Sequence, residues 1–231
     1  MSEIALYIDI EGFASKFENG ARQSFVELTN DLFKLGQNYF NNFSFYQFGG
    51  DGFLIKEIFS KSNDLEKFID IAASLLQAIL IRGGIGRAQI SYGNMVDITD
   101  AYSEEIKSLI CQNKNNILSD YKNIMSVNPI IGNAIINCHK LKGPSGPLLL
   151  IDKKLIQGKD LSDFIQYKNA EYTVYGVNWI NRKNERIIEI LNILELDITR
   201  NISHFKKYLS KNKISNLNWI KEANLLIYQI K

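Results

Sequence analysis

A hydrophobic segment that carries an acidic residue near its end constrains this chain more than any other feature. Residues 4 to 10 predict a buried strand, and Asp9 lies near its end, shortly before Gly12. A second acidic residue, Asp51, lies in a Gly-Asp-Gly turn between two strand-like segments, which predicts a hairpin. A carboxylate at the end of a buried strand is costly unless something binds it. The two segments therefore predict a single site that contains two carboxylates.

The predicted site suits divalent cations. Carboxylate oxygens are the ligands that Mg²⁺ and Mn²⁺ prefer, and the carbonyl oxygen of Ile10 would add a neutral third ligand. We expect Asp9, Ile10 and Asp51 to hold two Mn²⁺ or Mg²⁺ ions, which would activate an attacking hydroxyl and neutralise a triphosphate. Each aspartate alone also fits a simpler role, Asp9 as a helix N-cap and Asp51 as a turn residue.

A phosphate-binding segment is predicted directly after the first strand. Gly12, Phe13 and Ala14 lead into a predicted helix, whose free N–H groups favour phosphate oxygens. We therefore expect these three residues to contact the substrate.

The order of predicted elements up to residue 91 is β-α-β-β-α-β, which is the ferredoxin-like split βαβ arrangement of an α+β fold. We expect its sheet to face two helices on one side, and Gly93 to end the last strand. The strands are predicted at residues 4–10, 43–48, 53–58 and 85–91, and the helices at about 15–35 and 63–81.

The second half of the chain predicts an insertion, a return to the sheet and a helical C-terminal extension. The expected boundaries are residues 1–178 for the main domain and 179–231 for the extension. Within the main domain we expect an insertion at about 99–128 with a short helix near 104–110, a helix at 130–141, a strand at 148–151 and a hairpin at 164–177. The extension is predicted to contain two amphipathic helices.

Composition excludes several classes of partner. The 231 residues carry a net charge of +2, from 27 basic and 25 acidic side chains, which does not favour nucleic acid or an anionic membrane. No apolar run reaches the roughly 20 residues needed to cross a bilayer. The two cysteines, Cys111 and Cys138, lack metal-ligand spacing and are expected to be buried thiols. Without an evident signal peptide, we expect a cytoplasmic protein.

Four segments resemble motifs of the class III nucleotide cyclases, in the same order. Asp9 to Phe13 is similar to their D-x-x-G-F motif, and Gly50 to Phe53 to their G-D-x-F hairpin. Arg87 to Gly93 resembles R-x-G-I-x-x-G, with Gln89 in place of a glycine, and Gly132 resembles the start of their next helix. This resemblance implies a cyclase core at about residues 4 to 152. It also implies a homodimer with active sites at the interface, which convert a nucleoside triphosphate to a 3′,5′-cyclic monophosphate and pyrophosphate.

The chain departs from the purine-specific members of that family. Their transition-state arginine falls on Lys140, which keeps the charge but loses the bidentate geometry, or belongs to a solvated helix face. Their asparagine falls on Ile136, next to Asn137. The two base-selecting positions fall on Gln47 and Pro129, and neither matches an adenine or guanine pattern.

This combination resembles the pyrimidine cyclases of the Pycsar anti-phage systems, and Trp219 resembles the tryptophan of their last helix. The resemblance implies UTP as the substrate and cyclic UMP as the product, with CTP and cyclic CMP as the alternative, and a separate effector protein that responds to the product. Gln47 or Tyr46 would face the base, since the Gln47 amide both donates and accepts hydrogen bonds. Tyr46 also fits a core aromatic on a strand.

Two rival functions remain open. The segment from Phe48 to Phe53 also resembles the G-G-D-E-F hairpin of diguanylate cyclases, although Gly52 replaces its acidic fourth residue. A catalytically inactive cyclase fold that binds a nucleotide or a partner protein is the other. His139 and His204 lack a paired nucleophile and are expected to be structural or at the surface.

Overall fold

The computed structural model describes residues 2–11, 22–39, 43–48, 52–57, 65–98, 101–113, 117–119, 124–126, 130–197 and 201–228. Gly12, Phe13, Ala14, Asp51 and Pro129 lie outside the described residues. The predictions made for these five residues therefore stay predictions.

The first four strands form one antiparallel arrangement, and the bounds of the first three are within two residues of those predicted. They lie in the order β2-β3-β1-β4, with each neighbouring pair antiparallel. This is the strand order that a split βαβ arrangement produces, so the predicted α+β core is confirmed. The strands are β1 (Ser2–Ile10), β2 (Phe43–Phe48), β3 (Gly52–Glu57) and β4 (Gly86–Asp97).

Two helices cover one face of this sheet, as predicted. They are α1 (Arg22–Asn38) and α2 (Leu65–Ile81). Alternate residues of β1, among them Leu6, Ile8 and Ile10, belong to the hydrophobic core on this side. We call this side of the sheet the helical face. The last residues of β1 are therefore held rigidly by buried neighbours, which fixes the position of Asp9.

The predicted insertion contains the expected helix and a small hairpin. The helix, α3 (Glu104–Asn113), extends three residues beyond the predicted end. Strands β5 (Ile117–Ser119) and β6 (Ile124–Ser126) pair as a separate two-stranded sheet that the sequence did not predict. Three-residue strands are too short to show a recognisable alternation of polar and apolar residues.

Strand β4 continues through Gly93, so the predicted strand end at this glycine is wrong. A Cβ atom at Gly93 would overlap the backbone of Ala134, in the helix α4 (Asn133–Lys140) that crosses the strand. The glycine therefore permits a close approach between helix and strand. The predicted helix start at residue 130 is also wrong, because residues 130 to 132 form β7 (Ile130–Gly132), which pairs with the end of β4.

Three more strands extend the sheet beyond β4. Strand β8 (Leu149–Asp152) lies parallel to β4 and carries the predicted 148–151 strand. Strands β9 (Ile165–Lys168) and β10 (Thr173–Val177) form the predicted hairpin, and β10 pairs with β8.

The C-terminal segment forms three helices, where the sequence predicted two. They are α5 (Glu185–Ile193), α6 (Asn201–Lys211) and α7 (Leu217–Tyr228), of which α5 and α6 contact α2. A turn with Glu195 in the left-handed region ends α5, and the Asn216 side chain accepts a hydrogen bond from the Trp219 backbone at the start of α7. Among the described residues, no helix combines the length and the hydrophobicity that a membrane span requires. The division at residue 178 stays a prediction.

Candidate functional site

Asp9 lies on the sheet face opposite α1 and α2. Ala5, four residues earlier on the same strand, packs with Ala134 and Ile135 of α4, so alternation along the strand places Asp9 on that side too. We call this side the α4 face. The carboxylate oxygen Oδ1 of Asp9 is buried. The register partners of Asp9 are Gly52 on β3 and Arg87 on β4.

Strand β3 begins opposite Asp9, with the residue that follows Asp51 in the chain. Gly52, which one peptide bond joins to Asp51, is the register partner of Asp9 on β3. A Cβ atom at Gly52 would overlap the ring of Tyr7, which is also on the α4 face. The glycine is therefore required because the tyrosine occupies the space over it. The predicted proximity of the two aspartate segments is supported by this register, while the Asp51 carboxylate itself is not described.

The predicted third ligand, the Ile10 carbonyl, belongs to a residue whose side chain is buried on the helical face. The described residues contain no group of three or more His, Cys, Asp or Glu side chains that could hold a metal ion. Because Asp51 is outside the described residues, Asp9 is the predicted side-chain ligand whose position is known. A carboxylate oxygen that is buried at a strand end fits the hard-oxygen donor set of Mg²⁺ or Mn²⁺. The two-ion site stays a prediction.

Tyr46 and Gln47 lie on opposite faces of β2. Tyr46 pairs with Leu54 and packs with the α4-face cluster, so it shares the face of Asp9. Gln47 pairs with Phe53, whose ring stacks on Phe25 of α1 at 5.3 Å between ring centroids. Directly opposed residues of an antiparallel pair point to the same face. The exposed Gln47 side chain therefore belongs to the helical face of this edge strand.

Helix α4 carries the two remaining predicted residues. Asn137 donates a 3.1 Å hydrogen bond to the Tyr92 carbonyl, and Lys140 is exposed at the end of the helix. The helix is anchored through Cys138, whose thiol lies 2.7 Å from the Gln89 carbonyl. Burial raises the pKa of this thiol, and the predicted buried cysteine is confirmed for Cys138.

His139 has a neighbour in the site that the sequence did not predict. The His139 ring meets the Tyr7 ring edge-to-face, with 5.4 Å between ring centroids. His139 is exposed, as predicted for a surface residue. Tyr7 in turn covers Gly52, so α4 is connected to the aspartate hairpin through aromatic contacts. Only the strand order brings these residues together, and no local sequence signal indicates it.

Arg87 is a charged residue beside Asp9 for which the sequence pattern predicts no role at the site. It is the register partner of Asp9 on β4, and its guanidinium donates a 2.9 Å hydrogen bond to the Pro144 carbonyl. Burial lowers the pKa of Arg87, while the negative charges of Glu11 and Asp9 act in the opposite direction. A cation therefore lies beside the predicted metal ligand. The sequence does contain a signal for this role, because an arginine within an apolar strand must be compensated when its charge is buried.

The comparisons with known proteins concern structure alone. No family model matches the sequence, and no curated protein is similar to it. Solved structures of nucleotide cyclases are similar to the chain, with identities of 13% or less among the three described next.

A bacterial light-regulated adenylyl cyclase has a TM-score of 0.45 and 13% identity, over 84% of this chain and 55% of its own. The adenylyl cyclase CyaB from P. aeruginosa has a TM-score of 0.44 and 13% identity, over 80% of this chain and 96% of its own. The guanylate cyclase domain of RhGC from Catenaria anguillulae, in complex with GTP, has a TM-score of 0.41 and 12% identity, over 76% and 95%. At this level of similarity, the function has to be inferred from the residues of the chain itself.

Proposed function

We propose that the protein is a metal-dependent pyrimidine nucleotide cyclase, a lyase that converts UTP to 3′,5′-cyclic UMP and pyrophosphate. The observation that carries the proposal is the register of β1 and β3, which puts Asp9 opposite Gly52 and so brings two aspartate segments to one end of the sheet. The sequence motifs around both aspartates, which resemble those of class III cyclases, supply the reaction class.

The residues have distinct parts in this reaction. Asp9, Asp51 and the Ile10 carbonyl would hold two Mn²⁺ or Mg²⁺ ions, which when bound would lower the pKa of the ribose 3′-hydroxyl and neutralise the phosphates. The hydroxyl proton passes to solvent water. The 3′-oxygen forms a bond to the α-phosphorus, and the bond from that phosphorus to the pyrophosphate oxygen breaks. Gly12, Phe13 and Ala14 supply backbone N–H groups to the phosphates, and Lys140 adds a positive charge.

The base is recognised from the α4 face. The helical face beside β3 is filled by α1, as the stacking of Phe25 on Phe53 indicates, so a substrate approaches the opposite side. Tyr46 lies on that opposite side with Asp9. We therefore propose Tyr46 as the residue that faces the base, with Gln47 at the edge of the sheet as the alternative.

A homodimer is the proposed assembly. Val96 and Ile131 are register partners at the end of β4, and each is more than half exposed, at 55% and 53%. Ile136 on the outer side of α4 is 49% exposed. An exposed apolar group of this kind is typical of an interface between proteins. The change Ile136→Asp is expected to shift the chain from dimer to monomer in sedimentation velocity experiments.

The assay that tests the function uses all four nucleoside triphosphates separately, with Mn²⁺ and the purified full chain. The expected result is cyclic UMP from UTP, which Asp9→Asn and Asp51→Asn each abolish. The matched control is Asp152→Asn, because Asp152 is a carboxylate at another strand end whose side chain caps the Lys153–Leu155 turn. This variant should keep the activity.

Each other outcome of the assay corrects a specific part of the proposal. Cyclic CMP from CTP alone would make the protein a cytidylate cyclase, and product from ATP or GTP alone would exclude pyrimidine specificity. Cyclic di-GMP from GTP would favour the diguanylate alternative. Nucleotide binding without turnover would make the chain a binding protein. A role of the cyclic product as a second messenger in anti-phage defence, acting on a separate effector, rests on the resemblance to Pycsar cyclases.

A further inference from the structure

The last helix of the chain touches the end of the strand that carries Asp9. The indole Nε1–H of Trp219 in α7 donates a 2.5 Å hydrogen bond to Oε2 of Glu11, two residues after Asp9. The two residues are 208 positions apart in the sequence. Hydrogen bonds to a charged acceptor are stronger than those between neutral groups. The contact therefore connects the C-terminal helices to the candidate site.

Trp219 is held firmly where it makes this contact. Its side chain is buried, and its backbone N–H donates to the Asn216 side chain at the start of α7. The Asn216 amide also donates to the Ser145 hydroxyl, so the helix start is attached to the turn at residues 144–147. The carbonyl of Pro144 in the same turn accepts the hydrogen bond from Arg87. One turn therefore fixes both Trp219 and the guanidinium of Arg87.

Glu11 is also held from the sheet side. Its backbone N–H donates a 3.0 Å hydrogen bond to the Ile85 carbonyl, two residues before Arg87. Burial, and to a smaller extent the charge of Glu11, raise the pKa of Tyr208 in α6 to about 12. The backbone of Glu11 is therefore held by the residue that precedes β4, and its carboxylate by α7.

Arg87 is close to two carboxylates, of which Asp9 is a predicted metal ligand and Glu11 is not. Asp9 is its register partner, and the charges of both Glu11 and Asp9 act on its guanidinium. A guanidinium beside a metal ligand competes with a cation for the same carboxylate, because both gain from the negative charge. A second carboxylate in a fixed position reduces that competition.

We propose that Trp219 is a positioning residue of the candidate site: it holds Glu11 beside Arg87, so that Glu11 balances the guanidinium and leaves Asp9 available to a divalent cation. The inference rests on the metal site of the proposed function. It assigns the C-terminal helices a part in metal binding, in addition to their packing on the core.

The test measures Mn²⁺ binding directly, from the loss of the electron paramagnetic resonance signal of free Mn²⁺, with the full chain and without nucleotide, because a triphosphate would itself bind the ion. Trp219→Phe keeps the aromatic packing and removes the N–H donor. The variant is expected to weaken Mn²⁺ binding about 10-fold, as is common when a residue that orients a metal site is changed. Glu11→Gln is expected to weaken binding at least as much, and the double variant no further than Glu11→Gln alone.

Two additional variants separate positioning from packing. Leu226→Ala removes a core contact of α7 without touching Glu11, and it should leave Mn²⁺ binding within two-fold of the wild type. Arg87→Gln in the Trp219→Phe background removes the competing cation and should restore most of the binding. Urea unfolding of each variant establishes that it is folded under the conditions of the binding experiment.

The outcomes decide the inference independently of turnover. Unchanged Mn²⁺ binding in Trp219→Phe, equal weakening in Leu226→Ala, or no recovery with Arg87→Gln would each overturn it. If the wild type binds Mn²⁺ in an Asp9-dependent manner but cyclises no nucleotide, the proposed function fails and the positioning role is still decided by these variants. If Asp9→Asn leaves Mn²⁺ binding unchanged, the inference and the metal site are both wrong.

Discussion

The ring of Tyr7 lies against Gly52 on the α4 face of the sheet, where any side chain at position 52 would overlap it. Tyr7 and Gly52 belong to the paired strands β1 and β3, and Gly52 directly follows Asp51 in the chain. Gly52, the second glycine of the Gly-Asp-Gly turn, is thus needed because of how Tyr7 packs, whether or not the turn conformation also requires a glycine.

We therefore expect Gly52→Ala to destabilise the protein by about 1–3 kcal/mol, because overpacking forces the ring or the strand to move. Movement of the strand would displace Asp51, so cyclase activity should fall as well. Urea unfolding and the nucleotide assay measure the two effects.

The matched control is Gly36→Ala in α1, where the nearest side-chain atom would be Cε2 of Phe45 at 3.4 Å. Alanine inside a helix is favoured over glycine by roughly 0.5–1 kcal/mol, so this variant should be neutral or stabilising. The double variant Tyr7→Ala with Gly52→Ala should lose less stability than the sum of the two single variants. Additive losses of stability would show that overlap with Tyr7 does not cause the destabilisation by Gly52→Ala.

The faces of Tyr46 and Gln47 predict different effects on nucleotide recognition. Because Tyr46 shares the face of Asp9 and Gln47 does not, Tyr46→Ala should raise the KM for the pyrimidine triphosphate about 5-fold or more, the effect expected when a stacking contact of about 1–3 kcal/mol is lost. Gln47→Ala should change KM less than two-fold. Steady-state kinetics with UTP and CTP check both values, and a larger effect at Gln47 would reverse the assignment.

The attachment of the C-terminal segment to the core depends on Asp70 in α2. This buried carboxylate accepts hydrogen bonds from Arg182, Asn184 and Arg186, at 2.7, 2.9 and 2.9 Å. Removing one partner of a buried ion pair leaves the other charges without compensation. Since the two arginines retain some exposure, Asp70→Ala should lower the free energy of unfolding by about 2–4 kcal/mol.

The control is Glu66→Ala, because Glu66 is half-exposed and bonds the same Arg182 at 2.6 Å. An exposed ion pair contributes about 0–1 kcal/mol, so this variant should unfold close to the wild type. Equal losses in the two variants would indicate that burial does not decide the strength of this network.

Glu222 in α7 predicts a pH dependence of stability. Its Oε2 atom is buried, and the neighbouring Tyr167 hydroxyl stabilises the charged carboxylate and so lowers the pKa, against the larger effect of burial. Burial raises the pKa of Glu222 above its ordinary value of 4.5. The folded state therefore binds a proton at Glu222 more tightly than the unfolded state does. The resulting stabilisation of the folded state is fully present below the unfolded pKa of Glu222, and it is lost as the pH rises through the folded pKa.

Glu222→Gln removes the ionisable group with little change of shape. We expect the variant to be more stable than the wild type at pH 8 and to lose this advantage toward pH 4.5. Glu171→Gln, at an exposed position, should stay within about 0.5 kcal/mol of the wild type at both values. Urea unfolding at the two pH values measures the difference, and a pH-independent effect of Glu222→Gln would contradict the assignment.

Much of the core was predictable because its signals are local. The alternation around Leu6 and Ile8 and the apolar spacing of α2 specify elements that bury one face or one stripe, and their order allows few arrangements. The prediction that β4 ends at Gly93 was wrong because a glycine that permits a helix to approach a strand closely looks the same in sequence as one that ends the strand. The three C-terminal helices were counted as two because Asn216, the cap of α7, lies in a polar segment with no further stop signal.

The candidate site was predictable in part, for the same reason. The motifs around Asp9 and Asp51 are local and indicated a shared site, whereas Arg87 gains a role only as the cross-strand partner of Asp9. Gln47 and Tyr46 are adjacent in sequence, and only the pairing register decides which of them shares the face of Asp9.

The sequence by itself therefore determined the element order, the strand that carries Asp9 and the class of chemistry to expect from carboxylates at its end. The tertiary structure alone decided which residues surround that strand end. Trp219 reaches Glu11 across 208 positions because α7 packs against the turn at residues 144–147, and no local pattern encodes such a contact. Local preferences act over a few residues, while a buried charge network depends on elements that only the packed chain brings together.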